Sequence, residues 1–114
     1  MYNDFILLNK EKELLTYNEK YVFSSFPKNE VSLKIKINDT LYMLIENTIR
    51  ANVNRGNIRN KYWNETKVNI IMLDFFYKVV YEKELVLKRR FLSIIKLLNE
   101  IKSIVYALSG DNEN

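Results

Sequence analysis

Apolar positions in the last third of the chain recur with the period of an α-helix. Leu87, Phe91, Ile94, Leu98, Ile101, Val105 and Leu108 are spaced four, three, four, three, four and three, which is the seam of a heptad repeat. Lys88, Arg89, Lys96 and Lys102 fall off that seam, and the spacing predicts a helix over Lys83–Ser109. The preceding segment keeps the rhythm through Trp63, Thr66, Ile70, Leu73, Tyr77 and Val80. There, Ile71, Met72, Phe75, Phe76, Val79 and Tyr81 add apolar positions on further faces. A helix apolar nearly all round is buried on more than one side. The run is interrupted by Asn69, Asp74 and Lys78 and is too short to span a bilayer. Its second apolar face, Ile71, Met72, Phe75, Phe76 and Val79, is therefore expected to meet another subunit.

The first half reads as two more helices. Leu7, Leu14 and Tyr21 run beside Leu8, Leu15 and Val22, giving a helix from about Asp4 to Ser24. Leu33, Ile37, Leu41, Leu44, Thr48 and Ala51, flanked by Ile45 and Ile49, give another from about Glu30 to Asn52. Asn29 is placed to cap it, with Glu30 in the first turn facing the helix dipole. One stretch, "VSLKIKIND", conflicts: Val31, Leu33, Ile35 and Ile37 alternate with polar residues as in a strand. No second alternating run exists to pair with it, and a lone strand leaves its backbone groups unsatisfied. As helix, Leu33 and Ile37 join a seam that continues to Ala51. The chain has two Gly and one Pro. The breaks fall at Pro27, at "NVNRGN" around Gly56, and at Gly110, which opens a polar tail through Asn114. Four helices with short loops predict an all-α, antiparallel up-down-up-down four-helix bundle.

Composition narrows the chemistry. A chain of 114 residues, 47% of them apolar, is expected to form a single domain with a real core. It has neither cysteine nor histidine. That removes disulfides, thiol nucleophiles, thiolate metal sites, the usual general base and the four-helix RNases built on Arg-x-x-x-x-His. Asp39 and Glu46 lie two turns apart with nothing to mark them as a metal or acid/base pair, and the serines have no evident base. The expectation is a non-enzymatic protein without metal or cofactor. Charges at Asp4 and Lys10–Glu13 break up any signal-peptide core, so a cytoplasmic location is expected.

The net charge of +4 and pI near 9.2 favour an anionic partner. Abundant Lys, Asn, Ile and Tyr also follow AT-rich codon usage, so the placement of the charges says more than their sum. In an up-down bundle one end collects Lys28, Lys34, Lys36, Lys83, Lys88, Arg89 and Arg90, partly offset by Glu30, Asp39, Glu82 and Glu84. The other holds Arg50, Arg55, Arg59 and Lys61 beside the acidic tail. Lys28, Lys34, Lys36, Arg55, Arg59, Lys61, Lys88, Arg89 and Arg90 are the candidate phosphate contacts, with "KRR" at 88–90 the sharpest local signal. Trp63, Phe75 and Phe76 could stack on bases, but their helical spacing marks them as core or interface.

Several of these segments together resemble a known family. "FPKNE" (Phe26–Glu30) follows an aromatic helix end, Leu33 and Ile37 open the second helix, and Ala51 closes it before a loop and the basic "NIRNKYW". "LLNEI" (Leu97–Ile101) resembles a Leu-x-Glu-Ile pattern in the fourth helix. Over about residues 5 to 109 the chain is similar to the accessory variability proteins of diversity-generating retroelements. It is also similar to the related four-helix proteins encoded in ribosomal RNA intervening sequences. Val31 stands where the family often has Arg, and "YALSG" (Tyr106–Gly110) where many accessory proteins end in Gly-Gly-Trp. Both branches therefore stay open. The resemblance implies a homopentamer that binds a reverse transcriptase and template RNA, supports mutagenic retrohoming and catalyses nothing itself. In the intervening-sequence branch the alternative is a helical scaffold or interaction protein without a nucleic-acid role.

Overall fold

A computed structural model describes the backbone of residues 2–110 and the side chains of residues 5–110. The expected acidic tail, 111–114, lies outside the described residues. Helix α1, Tyr2–Tyr17, runs on through a π turn, Asn18–Val22, and a 3-10 turn, Phe23–Ser25. After Pro27 and a second 3-10 turn, Lys28–Glu30, come α2 (Val31–Val53), α3 (Gly56–Glu82) and α4 (Lys88–Leu108). Among the described residues there is no strand, and the packed helices form an all-α bundle. Consecutive helices pack on one another, α2 and α3 most extensively, and α1 also packs on α4. Lys10 reaches Glu100 at 3.0 Å and Arg90 reaches the Tyr21 carbonyl at 3.2 Å, so contacts run in opposite order along α1 and α4.

The alternating stretch is the first two turns of α2. Ile37 is fully buried and Leu33 half-buried, while Val31 and Ile35 face out. The longer seam decides over local alternation because only the helix satisfies the backbone within the segment. Leu41, Leu44, Thr48 and Ala51 continue it into the core. They meet Trp63, Thr66, Ile70, Leu73, Tyr77 and Val80 of α3 and Ile94, Leu98, Ile101 and Val105 of α4, all buried.

Three local expectations need correction. Asn29 does not cap α2. The Glu30 N–H donates to the Pro27 carbonyl at 3.0 Å, which closes a 3-10 turn over Lys28–Glu30 and makes Glu30 the residue that precedes the helix. From that position Glu30 also reaches across to pair with Lys83. Secondly, α4 starts at Lys88, not Lys83. The Leu85 N–H bonds to the Val80 carbonyl and the Glu84 N–H to that of Tyr81, a Schellman closure with Glu84 at φ 58°. That closure ends α3 and leaves Leu87, assigned to the seam by spacing, outside the helix and 60% exposed. Thirdly, the seam of α1 shifts at its end. The π turn accommodates an extra residue, so Val22 is buried while Tyr21 is 42% exposed.

Buried polar side chains cross the core. Glu11 is 1% exposed and its Oε2 accepts a 2.6 Å hydrogen bond from the Thr48 hydroxyl; its Oε1 has no protein partner. Burial pushes the carboxyl up to about 8, with the Thr48 bond opposing in part. Asn47 donates to Asn69 at 2.8 Å, and the Tyr77 hydroxyl donates to Asn18 Oδ1 at 2.9 Å. Burial also raises the Tyr77 phenol above its ordinary range.

Glu84 is exposed, and only glycine adopts a left-handed backbone without steric cost. Glu84→Gly should therefore raise unfolding stability by about 1 kcal/mol in urea titrations; a loss of stability would show that the side chain contributes contacts of its own. For Glu11 the folded value lies above the ordinary 4.5, so the folded chain keeps a proton that the unfolded chain gives up. Stability should thus fall as pH rises from about 4.5 to about 8 and level off beyond. With no His or Cys, no other side chain has its ordinary titration near pH 7–8. Between pH 6 and 9 the loss should be on the order of 2 kcal/mol, and Glu11→Gln should flatten the profile. A wild-type profile as flat as that of the variant would refute the assignment.

Candidate nucleic-acid interface

Three contacts bring the end of α1, the start of α2, the end of α3 and the start of α4 together. Lys83 Nζ lies 3.1 Å from Glu30, the Ser25 hydroxyl donates to the Leu85 carbonyl at 2.7 Å, and Arg90 Nη1 donates to the Tyr21 carbonyl at 3.2 Å. This end gathers most of the expected cations but not in one state. Lys83 is paired, so its charge is spent on Glu30. Arg90 is half-buried, with its guanidinium 5.1 Å from the Tyr21 ring centroid, and it fastens α4 to the π turn.

The remaining cations are exposed: Lys28, Lys34, Lys36, Lys88 and Arg89. Among the described residues none of them has a carboxylate within ion-pair distance. Lys34 lies 5.6 Å from the Phe23 ring centroid, on the α2 side of the π turn, while Arg89 and Arg90 flank its α4 side. "KRR" therefore divides into two free cations and one that works in the fold.

Arg55, Arg59 and Lys61 lie at the start of α3, separated from the first group by the length of α2, about 35 Å at the helical rise. Aromatic rings hold several cations here. Arg59 sits 5.8 Å from Trp63, and Lys61 and Arg50 sit 5.3 and 5.9 Å from Tyr62. Arg50 also pairs with Glu46 at 3.6 Å. Arg55 is exposed and precedes Gly56, whose φ of 60° turns the chain into α3 after only Asn54 and Arg55. The Asn54 amide donates to the Arg50 carbonyl at 2.8 Å and steadies that turn.

Of the expected interface residues, Ile71 and Phe75 are 61% and 63% exposed, and Met72, Phe76 and Val79 are half-buried. Phe75 and Phe76 meet edge to face at 6.1 Å. Exposed apolar side chains also stand on α2 (Ile35, Met43, Val53) and α4 (Leu92), which the seam reading passed over because it followed inward positions. Trp63 is buried and unavailable to a base.

Spacing did not single out Tyr17 and placed Tyr21 only in the α1 seam; their ring centroids are 4.9 Å apart. The signal was present in "YNEKY", where two tyrosines four residues apart on a helix flank Lys20. Among the described residues no group of three or more acidic side chains gathers to hold a metal, and no helix is long and apolar enough to cross a membrane. Compared with family models, curated proteins and solved structures, the chain matches none.

Proposed function

We propose that this chain is a non-enzymatic accessory protein of a diversity-generating retroelement, binding RNA and a reverse transcriptase in the cytoplasm to support mutagenic retrohoming. The family resemblance of residues 5–109 supports the biological setting. The RNA part rests on one observation: five exposed cations without carboxylate partners, Lys28, Lys34, Lys36, Lys88 and Arg89, at one end of the bundle. Phosphates supply the missing counter-charge, and their condensed ions are released on binding. The up-down-up-down helix order belongs to the same proposal and agrees with the Lys10–Glu100 and Arg90–Tyr21 pairings. So does the homopentamer, for which exposed Ile71 and Phe75 provide apolar surface. A ring of subunits would repeat each weak phosphate contact and strengthen it through avidity.

A second reading, an intervening-sequence-type helical scaffold that binds only protein, is favoured by the apolar side chains exposed on α2, α3 and α4. A structured RNA titrated across a salt series separates the two. Affinity should fall steeply with salt, and Lys88→Ala with Arg89→Ala should reduce the log–log slope by about two. Absence of binding at low salt, or an unchanged slope, would reject an RNA role for this end. Light scattering should report several times the 13.7 kDa mass of one chain, and a monomer at micromolar concentration would defeat the assembly claim.

A further inference from the structure

Where α1 widens into its π turn, Tyr17 and Tyr21 lie together on the outer face, their rings tilted by 50°. Neither ring is consumed by the core: Tyr21 is exposed and Tyr17 half-buried at its margin. Two shallow, open surface depressions share this pair. One, about 250 Å3, runs between α1 and α4 and is lined by Tyr17, Tyr21, Arg89, Arg90 and Ser93. The other, about 390 Å3, follows α1 past Lys12, Thr16 and Lys20. Glu13 also borders the second cleft, where it lies 3.8 Å from Lys10.

The components suit a nucleotide whose base is free. Tyrosine rings and guanidinium planes accept the face of an unpaired base whatever its identity. Arg90 is held by its bond to the Tyr21 carbonyl and by the Tyr21 ring, and it lines the depression between α1 and α4. Arg89 and Lys20 are exposed, have no carboxylate in ion-pair range among the described residues, and border the tyrosine pair from its two sides. A duplex brings phosphates to the same cations, but its base faces are already stacked, so it cannot use the rings.

We infer that the Tyr17–Tyr21 cleft binds an unpaired nucleotide of single-stranded RNA, with the base against the tyrosines and the Arg90 plane and the phosphates on Arg89 and Lys20. The inference rests on the RNA-binding reading above and narrows it to unpaired RNA.

Anisotropy titrations with a short unstructured RNA, and with the same RNA annealed to its complement, test it. Replacing both tyrosines by Leu should weaken single-strand binding roughly 10- to 100-fold, leaving its salt slope and duplex binding unchanged. Tyr17→Phe with Tyr21→Phe should restore single-strand binding. Arg89→Ala should weaken both RNAs and lower both slopes by about one. If the unaltered protein binds single strand and duplex alike, or the Leu pair leaves single-strand affinity intact, the cleft is not a base site while RNA binding stands. If neither RNA binds at low salt, both conclusions fall. Mononucleotide that displaces the RNA at equal molar concentration would assign the cleft to free nucleotide and overturn the single-strand proposal. Should the Leu pair lose its helical circular dichroism, iodouridine-substituted RNA can be photocrosslinked to the unaltered protein. Crosslinks at Tyr17 or Tyr21 support the site, and crosslinks elsewhere alone overturn it.

Discussion

The hydrogen bond from the Tyr77 hydroxyl to Asn18 Oδ1, 2.9 Å long and fully buried, ties the end of α1 to α3. Asn18 opens the π turn, so this bond holds the backbone where it departs from α geometry. An asparagine here would be costly without a partner, and a tyrosine hydroxyl would be costly on the other side. The bond satisfies the Tyr77 hydroxyl and the Asn18 oxygen, leaves the buried Asn18 Nδ2 without a protein partner, and links the end of α1 to α3 across the core. The consequences spread outward. Val22 turns into the core, Tyr21 turns out beside Tyr17, and the Tyr21 carbonyl accepts from Arg90.

Much of the architecture was legible because seams sum over many residues. Six positions at alternating spacings of three and four placed Trp63 through Val80 in the core, and the continuing seam outweighed the strand-like "VSLKIKIND". The errors came from features with no periodic signature. The α3 stop depends on Glu84 adopting a left-handed backbone, and glutamate is not a residue that marks such a position. The spacing of Leu87 fitted the next helix by coincidence. Glu11 and Asn18 lie on the inward line with Leu7, Leu14 and Val22, yet an apolar seam skips polar residues even when they are buried.

The candidate site was legible in a different measure. Positions of the cations follow from helix order, so Lys34, Lys88 and Arg89 were placed at an exposed end by sequence alone. Whether a cation is free depends on distances between helices. Lys83 and Glu30 are fifty-three residues apart and no local pattern joins them, yet they pair. Arg90 reads like Arg89 in the sequence, but only one of the two lies over a ring. The same sorting occurs at the far end, where Arg59 and Lys61 rest on aromatic side chains while Arg55 does not.

The buried Glu11 has a further effect on how the molecule relates to its solvent. Near neutral pH its carboxyl is mostly protonated in the folded chain and ionised in the unfolded one. Folding thus takes up close to one proton from the medium. The folded protein carries nearly one positive charge more than the formal +4. The heat of folding accordingly includes the ionisation heat of whichever buffer releases that proton, and it changes with the buffer while the free energy at fixed pH does not.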